Sequence, residues 1–335
     1  MMKRLIWIVG IATALYGGYW FVGRSGIQTG AETILTEMRN DGWTVDYTDL
    51  STRGFPSRFD TTITDATLFD PVTLTGWAGD WAQVFALSYR PTEVIILLPP
   101  EQTLTLGGQE FRLENSDMRA SAAVRATASL PFDRATIDIK TPRLNGPADS
   151  WQVTANRVLI ALRDTRVDTN TYDVFAEASS LTLPENIRKM LDPDAALPSV
   201  VRLARVDGDV SLAQPIDRYA ADVPVDVTGI SLREFALGWG DLEFRAAGDL
   251  LADASGFASG NVTLTLRRWQ EVLALLVRAG MVTENASFTI SAMAQNMDAT
   301  PGNPDLLTLE VTMANGLMAI GGLPVGRAPL LRYRQ

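Results

Sequence analysis

The sequence predicts a mainly β protein: an N-terminal transmembrane helix followed by antiparallel sheet that curls into a groove or packs as a sandwich, with a few short amphipathic helices. The first observation is a run of nineteen residues without a charged side chain near the N-terminus, long enough for a helix to cross a bilayer. The second is that apolar and polar residues alternate with a period of two from residue 43 onward. Strict alternation gives each strand one apolar and one solvated face, which is typical of antiparallel sheets.

The uncharged run extends from Leu5 to Gly23 and is flanked by Lys3, Arg4 and Arg24. A helix of this length spans roughly 28 Å at about 1.5 Å per residue. Basic residues before the run place the N-terminus in the cytoplasm and the bulk of the chain in the periplasm. We therefore expect a single-pass protein of the bacterial inner membrane, whose predicted anchor residues are Leu5, Ile8, Ile11, Leu15, Tyr19, Trp20 and Phe21.

A cleaved signal peptide is the alternative for this segment. Ala12-Thr13-Ala14 has the small-x-small form of a cleavage site, but it lies inside the apolar run and large aromatic residues follow it. Aromatic residues at the distal end of a membrane helix form an interfacial belt. We therefore expect the segment to be retained as an anchor.

The patterns divide the chain into a cytoplasmic stub and anchor (1–24), a linker helix (25–42) and a β-rich periplasmic domain (43–335). If that domain has two halves, the region 184–224, rich in proline and aspartate, is the expected seam. Apolar residues at helical spacing predict helices over 27–41, 79–87, 185–191 and 267–279, the last closed by Gly280.

Strong alternation predicts strands at 223–228, 242–246, 262–266 and 307–313, and weaker alternation predicts strands at 59–63, 104–106, 135–139, 206–212 and 288–292. Turns are predicted from glycine, proline and asparagine at Gly54-Phe55-Pro56, Pro99-Pro100, Gly107-Gly108, Asp207-Gly208 and Asn315-Gly316. These few helices cannot cover the apolar faces of about fifteen strands. We therefore expect the sheet to fold on itself.

An open trough of this kind would present an apolar lining able to hold acyl chains. Arg90 and Arg119 are the predicted residues at the mouth of the groove, because a guanidinium holds a lipid phosphate through planar donors. Trp269 joins them if the helix over 267–279 acts as a lid. The structural alternatives are ion pairs for the arginines and a core-capping role for the helix. Arg58 and Asp60 share one strand face and are expected to pair.

The composition excludes most kinds of catalytic centre. The 335 residues contain no histidine and no cysteine, which excludes Ser-His-Asp and Cys-His catalysis and metal sites with those ligands. The net charge of −10 is unsuited to nucleic acid. Asp192-Pro193-Asp194 and Asp164 with Asp168 offer carboxylates, but neither set has calcium-loop spacing. We expect no enzyme activity, no cofactor and no metal; a carboxylate-based hydrolase is the catalytic alternative.

Several segments together resemble an uncharacterised family of membrane-anchored alphaproteobacterial periplasmic proteins, known as a domain of unknown function. The resemblance lies in the anchor and in Trp43–Tyr47, Arg53–Asp60, Leu87–Pro91, Met118–Ser121, Asn315-Gly316 and Gly322–Pro329. The anchor, the Gly-Phe-Pro hairpin and the long amphipathic strands are also similar to the AsmA-like envelope proteins, which implies lipid transport or envelope homeostasis through an apolar β-groove.

The sequence therefore predicts a membrane-anchored periplasmic protein that binds or passes phospholipid or another apolar ligand in a β-groove. The alternative is a non-enzymatic scaffold or adaptor for another envelope protein, which would present an exposed edge strand or apolar patch without an internal cavity.

Overall fold

The computed structural model of the chain describes residues 2–220, 225–280, 282–296 and 305–332. Strands make up 53% of the chain, against roughly 20–25% in an average globular protein, so the mainly β prediction is confirmed. The chain divides into two compact units: unit 1 comprises residues 1–124 and 143–150, and unit 2 comprises residues 125–142 and 151–335.

The helices differ most from expectation at the N-terminus. A single helix joins the predicted anchor and linker segments, with no break near residue 24. The helices predicted over 185–191 and 267–279 are confirmed, and Gly280 follows the second with φ +71°. The helices are α1 Met2–Asn40, α2 Glu185–Leu191, α3 Trp269–Arg278 and α4 Glu284–Asn296.

Unit 1 contains nine strands among its described residues, all paired antiparallel. They are β1 Thr44–Asp46, β2 Asp49–Arg53, β3 Arg58–Asp70, β4 Thr75–Leu87, β5 Arg90–Leu98, β6 Glu101–Leu106, β7 Gln109–Glu114, β8 Asp117–Val124 and β10 Arg143–Asn145.

Unit 2 contains the other strands of the described chain, again all antiparallel. They are β9 Phe132–Lys140, β11 Gln152–Thr154, β12 Arg157–Asp164, β13 Thr171–Thr182, β14 Val200–Leu212, β15 Val227–Trp239, β16 Leu242–Ala252, β17 Ala258–Arg267, β18 Leu306–Ala314, β19 Leu317–Ile320 and β20 Leu323–Arg327.

The sheet of unit 1 is a meander of long strands, some of them interrupted. One edge of β3 pairs with β1 and β2 and the other with β4, while the far edge of β4 is shared by β5 and β6. Pro99-Pro100 was predicted as a turn, but β5 and β6 run in the same direction on either side of it. Proline has no N–H to donate to the ladder, so the pair interrupts the strand without reversing it.

The sheet of unit 2 carries a continuous row of apolar residues on one face. Directly opposed residues project to the same side of a sheet, so register alone defines the row. From β9 to β18 it comprises Ile137, Ile160, Ala176, Val206, Phe235, Ala246, Leu264 and Leu309.

Within the part of the chain that the structure describes, helices cover one end of this row. Trp269, Val272 and Leu273 of α3 and Ile290 of α4 pack in the core with the side chains of β16–β19. At the other end the row is open, with Ile160 42% exposed. The one-faced pattern predicted from the sequence is therefore present, and the helices leave part of it uncovered.

The opposite face of the same sheet is charged. Arg233 lies at a bulge in β15 and pairs with Asp173, Asp207 and Asp209, its Nη1 atom lying 2.8 Å from Asp209 Oδ2. The hydrogen bond that Arg233 donates to Asp207 raises the pKa of Arg233 above its ordinary value. Because these ion pairs lie on the solvated face, the apolar face of the sheet is the one that packs inward.

Three other local predictions were wrong. Residues 79–87 form part of β4 instead of a helix, because Ala82 and Val84 alternate with bulky Trp81 and Phe85 and both faces of the strand carry apolar groups. Residues 288–292 lie in α4 instead of a strand, with Ile290 one turn before buried Ala294.

The third wrong prediction is the turn at Asp207-Gly208, which lies inside β14 at a register shift. A Cβ atom on Gly208 would lie 2.5 Å from the carbonyl oxygen of Ser231. Glycine here permits a close approach of two strands instead of a reversal.

Two further predictions, the seam at 184–224 and the strand at 223–228, concern adjoining segments of the chain. The predicted seam at 184–224 lies within unit 2, where both edges of β14 are hydrogen-bonded. The strand predicted at 223–228 falls partly outside the described residues, and β15 begins at Val227. The hairpin at Asn315-Gly316 is confirmed: both residues have positive φ, as a two-residue turn of the I′ type requires.

Replacing Gly208 by alanine tests the close approach in β14. Because the added methyl group would meet the Ser231 backbone, Gly208→Ala should lower the free energy of unfolding by about 1–3 kcal/mol. Gly26→Ala is the control, since nothing lies within 4 Å of its Cβ position in α1 and alanine favours a helix by about 1 kcal/mol. Urea unfolding followed by circular dichroism measures both; an unchanged Gly208→Ala variant would contradict the register.

Asp133 provides a pH-dependent test of unit 2. Its side chain is about 10% exposed, and it pairs with Arg134 (Oδ2 to Nη1, 2.8 Å) and with Arg166. The hydrogen bond from Arg166 is the main reason that the pKa of Asp133 lies below 3.8. The ionised carboxylate therefore stabilises the fold above the unfolded-state pKa, and this contribution is lost as pH falls through the folded-state pKa.

Asp133→Asn should lower the free energy of unfolding by roughly 1 kcal/mol at neutral pH. The difference from the wild type should shrink as the pH falls below 3.8, where the native carboxylate also becomes neutral. Asp168→Asn, at an exposed position, controls for the loss of one negative charge. A difference that is constant from neutral to acidic pH would show that Asp133 does not act through its charge.

Candidate functional site

Helix α1 is fixed to the sheet of unit 1 by Trp20. The indole is 4% exposed, and its Nε1 donates to the carbonyl oxygen of Arg58 at 2.8 Å. Its ring stacks on Phe59 with centroids 5.9 Å apart and meets Phe55 edge-on at 5.3 Å. Gly23, one turn later, lies so close to the Phe59 ring that a Cβ atom would be 2.7 Å away. Helix α1 therefore docks on the Gly-Phe-Pro hairpin.

Two tyrosines strengthen this attachment at the next hairpin. Tyr19 donates from its hydroxyl to the carbonyl oxygen of Ser88 at 2.6 Å, and Tyr16 shares a hydrogen bond with Ser88 Oγ at 3.1 Å. Ser88 is completely buried. Two aromatic residues predicted as a membrane belt, Tyr19 and Trp20, thus also hold the helix to the protein.

An apolar pocket of about 410 Å³ lies between α1 and the sheet. This volume falls within the range of about 300–1,000 Å³ that is usual for small-molecule sites. The second half of α1 forms one wall and strands β2–β5 form the other. The pocket is lined by Ala31, Ile34, Leu35, Leu50, Thr61, Ile63, Ala66, Leu68, Trp77, Ala82, Val84 and Leu98.

The few polar groups of this lining already have partners. The Thr61 hydroxyl lies 3.0 Å from that of Thr52, the residue directly opposite on β2. The Trp77 indole donates to Gln102 Oε1 at 2.8 Å, and Gln102 in turn donates to Pro99 O at 3.0 Å. A ligand in the pocket would therefore find no polar side chain in need of a hydrogen bond, and the site suits an apolar group.

Unit 2 has a smaller apolar pocket of about 230 Å³. Leu273 and Leu276 of α3 and Ile290 of α4 form its helical side, and two of these three residues also belong to the buried core. Its volume is below the usual range for a ligand site, so we take it as a packing gap beneath the helices.

The two arginines predicted at the mouth of a groove do not lie together in unit 1, and Trp269 belongs to unit 2. Trp269 is 5% exposed and belongs to the core of unit 2, as the core-capping alternative predicts. Arg119 lies opposite Leu97 in the sheet of unit 1 and pairs with Asp117 at 2.9 Å. Arg90 begins β5, seven residues before Leu97 and roughly 23 Å away at about 3.3 Å per residue. None of the three lines the apolar pocket.

All predicted anchor residues lie in α1. Ile8, Ile11, Leu15 and Phe21 are 57–71% exposed, while the side chain of Leu5 is outside the described residues. Within the part of the chain that the structure covers, none of the helices combines the length and the hydropathy needed for a membrane span. The anchor stays a prediction.

Two of the carboxylates singled out in the sequence, Asp192 and Asp164, have structural roles. Asp192 accepts hydrogen bonds from the backbone N–H groups of Ala196 (3.0 Å) and Leu197 (2.9 Å), and Asp164 pairs with Arg125 at 2.5 Å. Arg58 and Asp60 pair as predicted, at 2.9 Å. No group of three or more acidic residues in the described segments is placed to hold a metal ion.

Sequence reasoning missed the pocket because its walls come from distant segments. Alternation at 59–63 predicts one strand of the sheet wall, but the neighbouring strand is predicted as a helix at 79–87. Ile34 and Leu35 were recognised only as part of an amphipathic linker. The apolar face of that linker was the one available signal that something packs beside it.

Substitution of Trp20 tests the attachment of α1 to unit 1. Trp20→Ala removes a buried ring and its hydrogen bond, and should cost about 3–5 kcal/mol of unfolding free energy. Val22→Ala, at a residue of α1 that is 74% exposed, should cost no more than about 0.5 kcal/mol in detergent. Chemical unfolding followed by circular dichroism compares them; equal, small effects would show that the helix is not docked on the hairpin.

Comparison with known proteins gives a family. Residues 20–329 match the model of a family described as an uncharacterized protein conserved in bacteria, DUF2125. No curated protein and no solved structure matches the chain. The predicted resemblance to a family of unknown function is confirmed, while the likeness to AsmA-like proteins and the alphaproteobacterial origin stay predictions. Because the match covers most of the 335 residues, the chain belongs to the DUF2125 family.

Proposed function

We propose that this chain is a membrane-anchored periplasmic protein that binds a lipid or another apolar ligand in the pocket of unit 1 and so supports the cell envelope. The observation that carries the proposal is the pocket lining. Its volume of about 410 Å³ is lined almost entirely by apolar side chains, and the polar atoms of Thr61 and Trp77 are hydrogen-bonded within the protein. An open apolar surface of this kind favours burial of hydrocarbon at about 25 cal/mol per Å².

The shape of the pocket favours a chain-like ligand. Along β3 the lining extends from Thr61 to Leu68, seven residues or roughly 23 Å at about 3.3 Å per residue. Along the neighbouring strand it extends from Trp77 to Val84. An apolar lining of this length along the strands can accommodate an acyl chain.

Exposed apolar residues on α1 support membrane attachment. Trp7 is 74% exposed, Ile8 63% and Leu15 71%, and all three precede the first contact of the helix with the sheet at Tyr16. Side chains of this size side by side on one helix suit a hydrocarbon environment, and the uncharged run Leu5 to Gly23 surrounds them.

A large side chain placed in the pocket should prevent lipid from binding there. The chain purified in mild detergent should carry phospholipid or fatty acid that is detectable by mass spectrometry after extraction. Ala82→Trp places a large ring in the pocket and should reduce the bound lipid several-fold. Thr67→Trp is the matched control, because Thr67 is exposed on β3 next to Leu68 and does not line the pocket.

Equal lipid content in the wild type and Ala82→Trp, with both variants folded by circular dichroism, would contradict the proposal. A chain without lipid that crosslinks to one envelope protein would instead support the adaptor alternative. Binding of a fluorescent fatty acid to the delipidated chain gives a second readout that does not depend on what is retained during purification.

A further inference from the structure

The end of unit 1 from which α1 projects carries a cluster of exposed aromatic residues. The β2–β3 and β4–β5 turns meet there, joined by a hydrogen bond from Ser88 N to Ser57 O at 3.0 Å. The rings of Phe21 and Phe55 stack with centroids 6.1 Å apart. We call this region the aromatic end; its exposed residues are Phe21 (60%), Phe55 (55%), Leu87 (38%) and Tyr89 (66%).

Basic residues surround the aromatic end. Arg53 ends β2, Arg58 begins β3 and Arg90 begins β5, and all three are exposed. Aromatic rings at the boundary and arginine heads able to reach phosphates are the composition of a protein surface at a membrane interface. Continuity with the exposed apolar half of α1 indicates that the same medium contacts both.

The opposite end of unit 1 differs in the aromatic content of its turns. Val72 and Leu106 are exposed in its turns, at 85% and 55%, but the residues that the structure describes place no aromatic side chain in those turns. The C-terminal end of α1 leads towards this end, since Thr44, soon after Asn40, pairs with Phe69. Exposed aliphatic residues occur at both ends, whereas the projecting helix and the aromatic cluster occur at one.

The length of the apolar run sets how far this end approaches a bilayer. From Leu5 to Tyr16, where contact with the sheet begins, the helix rises roughly 17 Å at about 1.5 Å per residue. The hydrocarbon core of a bilayer is about 30 Å thick. The remainder of the run, to Gly23, lies beside the β2–β3 and β4–β5 turns. A helix inserted as far as Tyr16 therefore brings both turns to the headgroup layer.

We propose that the aromatic end of unit 1 is embedded in the headgroup layer of a phospholipid bilayer, so that the apolar pocket opens at the membrane surface. This inference rests on the proposed function. The pocket lining begins at Thr61 and Val84, three residues from Arg58 and Leu87 and roughly 10 Å along each strand. An acyl chain would then enter from the bilayer with little exposure to water.

The absence of cysteine from the chain allows single-site labelling without other changes. Full-length variants carrying an environment-sensitive fluorophore are reconstituted in vesicles of phosphatidylethanolamine and phosphatidylglycerol with brominated acyl chains, which quench only labels near the bilayer. The variants are Phe55→Cys and Tyr89→Cys at the aromatic end, Val72→Cys at the opposite end and Leu15→Cys in α1. All four positions are exposed. Phe55 also contacts Trp20 edge-on, so Tyr89→Cys reports on the aromatic end with that contact intact.

We expect several-fold stronger quenching at positions 55 and 89 than at position 72, together with quenching at position 15. Quenching at 15 but not at 55 and 89 would overturn the inference while the anchor stands. Equal quenching at 55 and 72 would indicate adsorption without orientation and would also overturn it, as would quenching at none of the four. Lipid in the pocket is measured separately in detergent, so a failure of ligand binding is distinguishable from a failure of membrane contact.

Discussion

The whole structure depends on one constraint, the need to shield the apolar face of a long antiparallel meander. In unit 2 a row of directly opposed apolar residues crosses eight strands from Ile137 to Leu309, while the other face is held in water by ion pairs around Arg233. A sheet built in this way has one side that gains free energy by leaving water. The helices of the chain are placed where they cover that side.

The two units meet the constraint differently. In unit 2 the insertion between β17 and β18 supplies α3 and α4, which cover the core around Leu266 and Leu273 and leave a small gap of about 230 Å³ beneath them. In unit 1 the cover is the second half of α1, which touches the sheet at Leu35 and leaves a pocket beside it. A single helix laid across a wide sheet cannot fill the space on both of its flanks. The candidate site is therefore a direct result of covering a broad surface with one narrow element.

The sequence predicted well wherever the determining interaction is local. Asn315-Gly316 specifies a two-residue turn by itself, and the apolar stripe of α3 needs no partner to be recognised. Prediction was wrong where the environment decides: β4 carries Trp81 and Phe85 on one face and Ala82 and Val84 on the other, and this spacing also satisfies a helix.

Contacts between segments that are distant in the chain could not be predicted from the residues around either partner. Gly208 was read as part of a turn because the approach of Ser231 is invisible in the chain around it. The pocket unites residues 31–35 with residues 50–98, and its existence depends on how α1 is seated. Trp20 was recognised as an interfacial aromatic, but its hydrogen bond to the backbone of Arg58 depends on a hairpin that lies 38 residues away.

The continuity of α1 gives the molecule a rigid spacer. The helix runs without a break from Met2 to Asn40, so Ile34 lies roughly 27 Å along the axis from Tyr16 at about 1.5 Å per residue. No hinge separates the segment that projects from the sheet from the segment that walls the pocket. Adding or removing one residue between them would rotate the two faces by about 100° relative to each other, so the number of residues in this interval fixes the direction in which the pocket faces.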